Sequence, residues 1–400
     1  MALWVVAVEF VSGSAWGEHS LTVLIAFIAG WFLIVYVYLG YPILITIMAR
    51  TRVRYQTAER YPRVTVLFCA HNEAAVLPEK IANCRALDYP AELLEFRVGS
   101  DGSTDGTNAL LQDWAKDPRV RLTLSPKRVG KTALLNRIVP TTVGEIVLFS
   151  DASTMFPADA VRRHIGHYTD PTIGCVGGDL VFVNAARSPM SGAHGAYWRY
   201  ERHLRRCESS LGILACVPGA NYSLRRELWR AVQPRFADDC NSPLSVIEQG
   251  YRVVYDSAAS ACEVAAESST GLMRRRVRMV TRDLEAILAR PALLNPFRFP
   301  GVAWSLWSHK LLRWLGAPLL LLLLISNLFL LQRPLFQGIF ACQLVFYGLS
   351  LTGYLLQGKK TSRWLSLPLY FSLSNLAALR GLANVLCRKP AVTWQPGGTT

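Results

Sequence analysis

The sequence predicts an α/β domain with a parallel, nucleotide-binding type of sheet, joined to α-helical transmembrane segments. Two observations predict this architecture. Short apolar strands alternate with helical segments within residues 60–283, which is typical of βαβ units. Long apolar runs flank that region on both sides, and 51% of the 400 residues are hydrophobic, which is high for a soluble enzyme. The chain is therefore expected to be a membrane protein with one large water-facing domain.

A spanning helix needs roughly 20 apolar residues. Segments recognised by this length divide the chain into seven predicted units. In chain order they are a short extracytoplasmic or interfacial head (1–19), a transmembrane helix (20–48), a cytoplasmic domain (60–283), interfacial helices (284–312), transmembrane helices (313–332 and 336–356) and a last segment (364–386). The last segment contains Pro368, Asn375 and Arg380. It is predicted either to cross the membrane or to form a re-entrant helix.

Positive charge is concentrated beside the apolar runs and gives most of the formal net charge of +15. The residues concerned are Arg50, Arg52 and Arg54 after the first run and Arg274, Arg275, Arg276, Arg278 and Arg282 before the second. By the positive-inside rule, these flanks and the domain between them are cytoplasmic. This predicts a multi-pass protein of a bacterial-type inner (plasma) membrane.

The composition also excludes some classes of partner. The domain carries no basic stripe interleaved with aromatic residues, so nucleic acid is not a predicted partner.

The nine cysteines form no CxxC pair and no Cys/His cluster with zinc spacing. A reducing compartment with buried thiols fits this pattern.

Charged or amide side chains follow four predicted strands, which lie at 63–70, 95–100, 120–124 and 146–150. These side chains are Asn72, Glu73, Asp101, Lys131 and Asp151. The carboxyl ends of parallel strands open into one crevice, so the five are expected to converge. Asp151 alone could be a helix N-cap, but convergence with other acids and a lysine favours a ligand-binding role.

The segment Gly130-Lys131-Thr132 matches the end of a P-loop. The upstream glycine of that motif would fall at Ser125, and no glycine-rich loop precedes it. The P-loop interpretation therefore fails, and Lys131 remains as a cation for a base or a phosphate.

Further along the chain the pattern is less regular. Residues 173–182 are predicted to form a strand pair or a bent strand, residues 217–223 a turn at the start of a helix over 225–232, and residues 251–255 a final strand. Asp238 and Asp239 precede a helix over 242–250.

Six short motifs occur in the order found in one known family. They are Ala70-His71-Asn72-Glu73, the run from Asp101 to Thr107, Gly130-Lys131-Thr132, Ser150-Asp151-Ala152-Ser153, Asp238-Asp239 and the arginine-rich segment near Arg275. In these motifs the chain resembles the membrane-bound family 2 glycosyltransferases, the superfamily of cellulose, hyaluronan and chitin synthases. The likeness covers essentially the whole length. It implies an inverting enzyme with a GT-A type domain that binds a nucleoside-diphosphate sugar.

The resemblance implies roles for the residues named above. Asn72, Glu73, Asp101, Lys131 and Asp151 would bind the nucleotide sugar, and Asp239 would be the general base. Asp238 beside it would raise the pKa of Asp239. A second set, comprising Gly219, Asn221, Asp238, Arg275 and Arg278, would contact the acceptor or the diphosphate. Two alternatives stay open: the aspartate pair caps the following helix, or the arginines bind an anionic membrane surface.

The predicted cofactor is Mg²⁺ or Mn²⁺, bound at Asp151 and Ser153. A divalent cation neutralises the diphosphate that leaves. Ser153 occupies the position of the family's second acid, so the protein offers one carboxylate where two are common. Mg²⁺ keeps several waters and binds substrate phosphates, so the metal is expected to bind weakly without the donor and strongly with it.

One departure bears on the product. Processive members of the family carry Gln-x-x-Arg-Trp before the second membrane region, whereas this chain has Arg275, Arg278 and Met279 at the three positions. Methionine lacks the flat face on which an acceptor sugar stacks. The favoured function is therefore transfer to a membrane lipid or lipid-linked acceptor in surface polysaccharide or glycolipid synthesis. The alternatives are a processive synthase that exports its polymer and a non-catalytic nucleotide-sugar receptor.

Overall fold

The computed structural model describes residues 18–50, 57–183, 189–264, 269–356 and 362–388. Most of the predicted head, residues 1–17, and the flanking residues Arg52 and Arg54 lie outside these ranges. The domain boundaries expected from the sequence remain predictions.

A seven-stranded mixed sheet forms the centre of the α/β domain, and its order is β3-β2-β1-β4-β6-β5-β7. The strands are β1 (Val64–Ala70), β2 (Leu94–Asp101), β3 (Val120–Ser125), β4 (Ile146–Asp151), β5 (Ile173–Phe182), β6 (Asn221–Arg225) and β7 (Arg252–Glu263). Strand β6 is antiparallel to both neighbours, and the remaining pairings are parallel. The α/β fold class with helical apolar segments is confirmed.

The helices flank this sheet and then continue into the apolar part of the chain. They are α1 (Glu18–Val35), α2 (Tyr41–Ala49), α3 (Leu77–Arg85), α4 (Thr107–Trp114), α5 (Lys131–Ile138), α6 (Ala160–Gly166), α7 (Pro189–Ser210), α8 (Asp238–Glu248), α9 (Ser269–Leu288), α10 (Pro300–Ser305), α11 (Leu312–Trp314), α12 (Gly316–Phe329), α13 (Pro334–Leu355) and α14 (Arg363–Leu386). Two π-helical segments, Tyr36–Gly40 and Leu306–Leu311, connect α1 to α2 and α10 to α11.

The expectation for residues 217–232 was wrong. Residues 221–225 form β6 instead of a turn, and only a short 3₁₀ segment, Arg226–Leu228, follows where a helix was expected. The whole strand is buried, and its polar side chains are satisfied by neighbouring elements. Ser223 bonds the His164 imidazole and the Tyr168 hydroxyl. Buried polar residues hide the apolar pattern by which a strand is recognised.

The expected bent strand over 173–182 is a single strand, β5, whose register against β7 shifts at two points. One shift lies between Gly178 and Asp179. A β-carbon on Gly178 would lie 2.1 Å from the Ala259 carbonyl oxygen. Only glycine therefore permits this close approach of the two strands.

Two helical stretches are long and apolar enough to cross a membrane, Leu21–Ala49 and Pro334–Leu355. The bent pair Pro300–Trp314 and Gly316–Phe329, with an angle of 57° between its helices, passes the same test when taken together. Many large apolar side chains of these helices are exposed, including Phe32 at 68% and Leu355 at 71%. Exposed apolar surface of this extent marks a region of contact with a membrane or with another protein.

The α/β domain and the apolar helices share one hydrophobic core. A single cluster of buried residues runs from Leu67 and Phe149 in the sheet to Trp314 and Ala378 in the apolar helices.

A buried network of charges joins the same two parts of the protein. Arg313 Nη1 lies 2.6 Å from Glu201 Oε1. His309 bonds Glu201 through Nε2 at 3.2 Å and Glu208 through Nδ1 at 2.7 Å. The Tyr41 hydroxyl donates to Glu208 at 2.7 Å. Both glutamates belong to α7, so this helix is fixed directly to the apolar segments.

Candidate active site

The site lies where the strands β1, β2 and β4 end and β6 begins. In the sheet register Cys69 faces Asp151, and Ser150 faces Asn221. Because β6 runs antiparallel to β4, its first residues lie at the same edge as the last residues of β4. The sheet therefore brings the loop before β6 to the crevice that the sequence predicted.

Lys131 connects two acids at this edge. Its Nζ lies 2.7 Å from Asp151 Oδ1 and 3.9 Å from Asp238 Oδ2. Burial alone would lower the pKa of Lys131, but the two carboxylates outweigh it and hold the pKa above its usual value. Burial raises the pKa of Asp151, and the Lys131 cation more than reverses this effect, so the net shift is downward. The pair is therefore ionised at neutral pH.

Asp101 fixes the start of α5. Its carboxylate accepts hydrogen bonds from the backbone N–H groups of Val129, at 2.7 Å, and Gly130, at 2.9 Å. Gly130 has φ +91°, a conformation that glycine adopts without strain. These contacts place Lys131 at the first position of the helix, with its side chain directed to Asp151.

Asn72 and Glu73 follow β1. The Asn72 backbone has φ +54°, and its Oδ1 accepts the Thr104 N–H at 2.8 Å. Asn72 therefore fixes the loop after β2. Burial, followed by the nearby Asp151 and Asp105 carboxylates, raises the pKa of Glu73 to about 7.

Asp239 lies in the first turn of α8, in a region rich in acids. Burial, then the Asp283 and Asp238 carboxylates, raise the pKa of Asp239 to about 7. No hydrogen bond to its carboxylate occurs within the described ranges. A β-carbon on Gly219 would lie 2.5 Å from Asp239 Oδ2. Gly219 thus leaves the space that the carboxylate occupies, and a pKa near 7 suits a general base.

Helix α9 brings arginines to the same crevice. Arg275 Nη2 lies 3.3 Å from Glu263 Oε1. Burial, then the Arg275 and Arg282 guanidinium groups, lower the pKa of Arg278 to about 10. Arg282 donates to Thr132 Oγ1 at 2.7 Å and to the Phe236 carbonyl, so it anchors α9 to α5 and to the loop before Asp238.

Asn221 does not reach the crevice. Its side chain is fully buried: Nδ2 donates to the carbonyls of Asp179 and Ala259 at 2.8 Å, and Oδ1 bonds His164 Nε2 at 2.8 Å. These contacts satisfy the amide inside the protein. The expected contact of Asn221 with acceptor or diphosphate stays a prediction, and in this structure the amide is bonded within the core.

Two buried side chains near Asp151 were not expected from the sequence. Lys80 is completely buried, and its Nζ donates to Ser150 Oγ at 2.8 Å. Glu263 is 8% exposed, and no described residue bonds its Oε2. Burial and the nearby Asp151 raise the pKa of Glu263, although Arg275 opposes the shift. Neither residue belongs to a recognisable motif; each lies one strand or helix away from the motifs that predicted the site.

The oxygen atoms near Asp151 fit a hard cation that also binds the diphosphate of the sugar donor. In the described part of the chain, no group of three or more His, Cys, Asp or Glu side chains has the geometry of a closed metal site. Asp151 and the exposed Ser153 would supply oxygen ligands at the strand end, and the Oε2 of Glu263, which no described residue bonds, is a further carboxylate oxygen in the same region. Mg²⁺ commonly binds through one or two carboxylates, with waters and phosphates completing the shell.

The α/β domain is similar to known glycosyltransferases. Residues 65–231 match the family model described as "Glycosyl transferase family 2". The chain is similar to a beta-monoglucosyldiacylglycerol synthase of Synechocystis sp., with 27% identity over 175 residues, 43% of this chain and 36% of that protein. It is also similar to an N-acetylglucosaminyltransferase of Rhizobium leguminosarum bv. viciae, with 25% identity over 249 residues, 58% of each chain. The chain therefore spans about a third to three fifths of the length of these curated relatives.

A solved structure shares the fold. It is a mannosyltransferase from Pyrobaculum calidifontis in complex with GDP-Man and Mn²⁺, and it superposes with a TM-score of 0.68 at 21% identity. The superposition covers 91% of this chain and 99% of the other. The likeness therefore includes the apolar helices as well as the sheet domain.

Proposed function

We propose that this chain, a family 2 glycosyltransferase with a GT-A fold, moves a sugar from a nucleoside-diphosphate sugar to a membrane-held or lipid-linked acceptor. One observation carries the proposal. At one edge of the sheet, the Lys131–Asp151 ion pair lies beside the Asp238–Asp239 turn, which contains a carboxylate with a pKa of about 7. This combines a polar anchor for a diphosphate with a group able to accept a proton.

The donor would bind across the carboxyl ends of β1, β2 and β4. Asn72 and Asp101 stabilise the loops that border this region. The cations of Lys131, Arg275 and Arg278 would face the negative diphosphate, and arginine can contact phosphate oxygens in a bidentate manner. Their positive charge stabilises the leaving group as charge develops on it.

The transfer step would form a bond between the acceptor oxygen and the anomeric carbon of the donor sugar and break the bond from that carbon to the diphosphate. Asp239 accepts the proton of the acceptor hydroxyl as the oxygen attacks. Attack on the face opposite the leaving diphosphate inverts the anomeric configuration. Gly219 preserves the room that the Asp239 carboxylate needs for this position.

A divalent cation, when bound, would act as a Lewis acid on the diphosphate. Asp151, Ser153 and Glu263 are the residues that would hold it. The Mn²⁺ in the structurally similar mannosyltransferase supports this cofactor.

The membrane-held acceptor is inferred from the apolar helices. Two helices meet the length and hydropathy for spanning, and their basic flanks favour a cytoplasmic catalytic domain in a multi-pass inner-membrane protein. The Synechocystis relative, whose name refers to diacylglycerol, supports a lipid acceptor. The donor sugar stays open between hexoses and N-acetylhexosamines, in line with the names of the relatives.

The test uses the purified full chain in lipid bilayers with a panel of nucleoside-diphosphate sugars. Release of nucleoside diphosphate together with sugar on a lipid supports single transfer. A ladder of long chains would replace it with the processive alternative, and donor binding without any release would support the receptor alternative.

A further inference from the structure

A cavity of about 480 Å³ lies beside the candidate active site. Tyr38 and Phe346, from the two stretches able to span a membrane, contribute to its wall, as does Phe371 of α14. Ligand-binding cavities of proteins have volumes in this range. The cavity is therefore large enough for part of a lipid and lies between the catalytic domain and the apolar helices.

Helix α9 separates the cavity from the donor site. Arg275 and Arg278 interact electrostatically with Asp151 on one side, whereas Arg276 and Met279 line the cavity on the other. A helix with its side chains is about 10 Å across. A head group held at Arg276 would thus lie within about one helix diameter of the sugar to be transferred.

The charges that line the cavity are unbalanced. Arg276, Lys310 and Arg313 are cations, and Glu201 is the one carboxylate among the lining side chains. Arg313 is paired with Glu201 at 2.6 Å, and Lys310 lies 3.6 Å from Asp283 behind the wall. Arg276 has no carboxylate within ion-pair distance in the described ranges. A cation in an apolar region is normally paired, so Arg276 is the group that lacks an anion.

Arg276 is held by aromatic side chains instead. Its guanidinium carbon lies 4.3 Å from the centre of the Tyr197 ring and 4.7 Å from that of Tyr370, and its Nη2 donates to the Tyr370 hydroxyl. Cation–π contacts fix the orientation of the guanidinium without neutralising its charge. They also occupy ring faces on which a sugar would stack, which disfavours a glycan as the occupant.

We propose that this cavity binds the phosphate of a lipid, with Arg276 as its anion ligand and the apolar wall in contact with the chain. The identification of this lipid as the acceptor rests on the proposed function. The lipid would reach the donor site past α9, at Met279, which lines the cavity.

The binding test uses the full chain in a neutral detergent, with lipid retention measured by native mass spectrometry. The probes are dioleoyl phosphatidic acid and dioleoylglycerol, which differ only in the phosphate. We expect at least about tenfold tighter binding of the phosphatidic acid, the usual effect of one charge-assisted contact. Arg276→Gln should remove this preference. Arg274→Gln, which removes an exposed arginine two residues earlier on the same helix, should preserve it.

Ser374→Phe provides a second variant, because Ser374 lines the cavity and the larger side chain fills it without changing a charge. It should weaken phosphatidic acid binding about tenfold even if Arg276→Gln does not fold. Equal binding of the two lipids by the unmodified protein would overturn the inference. Displacement of the lipid by millimolar inorganic phosphate, or by an oligosaccharide, would overturn it in favour of a free anion or a glycan.

The two proposals fail in different ways. Asp239→Asn should lose nucleoside-diphosphate release and retain phosphatidic acid binding. If the unmodified protein transfers sugar but binds the two lipids equally, only the inference about the cavity is refuted. Lipid preference without any glycosyl transfer by the unmodified protein would refute the proposed function, and with it the acceptor role of the lipid.

Discussion

Asp239→Asn is the most direct test of the proposed chemistry. Asparagine has almost the same shape as aspartate but cannot accept a proton, and no described residue bonds the Asp239 carboxylate. A positioned general base typically contributes about 10²–10⁴-fold to the rate, so we expect kcat to fall roughly 10³-fold. The KM for the donor should change by less than about threefold, because an interaction made in the transition state is removed.

The pH dependence of the unmodified enzyme follows from the same residue. Burial and the neighbouring carboxylates raise the pKa of Asp239 to about 7, and only the deprotonated form is a base. The rate should therefore rise about tenfold between pH 6 and pH 8. Asp238→Asn removes one negative neighbour and should move this rise to lower pH.

The free energy of unfolding should fall with rising pH, whereas the rate should rise. A carboxyl group whose pKa is raised by folding stabilises the protein below its unfolded pKa, near 4, and this contribution is lost as the pH rises through about 7. The asparagine side chain carries no charge, so Asp239→Asn should unfold at a temperature no lower than the unmodified protein at pH 8. This melting measurement separates loss of the base from loss of the fold.

The assay is release of nucleoside diphosphate by the protein in bilayers, followed at several pH values. Retention of more than about a tenth of the rate by Asp239→Asn would refute the assignment of the base. If the chemical step limits the rate and the rate does not change from pH 6 to pH 8, then a base with a pKa of about 7 is contradicted.

Three further predictions concern the same edge of the sheet. Lys131→Met removes the cation between Asp151 and Asp238 and should weaken nucleoside-diphosphate binding, measured by calorimetry, at least about tenfold; unchanged affinity would exclude contact with the diphosphate. Gly219→Ala places a methyl group 2.5 Å from Asp239 Oδ2, so kcat should fall at least about tenfold with donor affinity retained, and an unchanged kcat would show that the carboxylate tolerates displacement. Mn²⁺ should bind weakly to the protein alone and tightly with nucleoside diphosphate, a difference that Asp151→Asn should abolish; tight binding to the empty protein would contradict the open site.

The sequence was most informative where apolar strands end in charged residues. Asp101 and Asp151 follow fully apolar or β-prone runs, and the structure has β2 and β4 ending at these residues. Strand β6 was missed because Asn221, Ser223 and Arg225 are polar yet buried, each satisfied by partners far away in the chain. Such partners cannot be recognised from local periodicity.

The residues of the candidate site likewise divide into those that a sequence motif predicts and those that only the tertiary structure reveals. The family resemblance named Lys131 and Asp151, and the structure has them in an ion pair. Lys80 and Glu263 were missed because each is an ordinary surface residue by type, and burial next to Asp151 is a property of the tertiary structure alone. Asn221 was assigned to the site by the family resemblance, and alternation along β6 turns its side chain into the core.

The buried network around His309 has a consequence for dissecting the enzyme. A shortened chain that ends before His309 and Arg313 would keep Glu201 and Glu208 but lose His309 from both and Arg313 from Glu201, which would keep Arg205 at 3.6 Å. Removing one partner of a buried ion pair costs about 3–5 kcal/mol, and the net stability of a folded domain is only about 5–15 kcal/mol. The α/β domain is therefore expected to lose a substantial part of its stability without the apolar helices, so the two parts of the protein should unfold together.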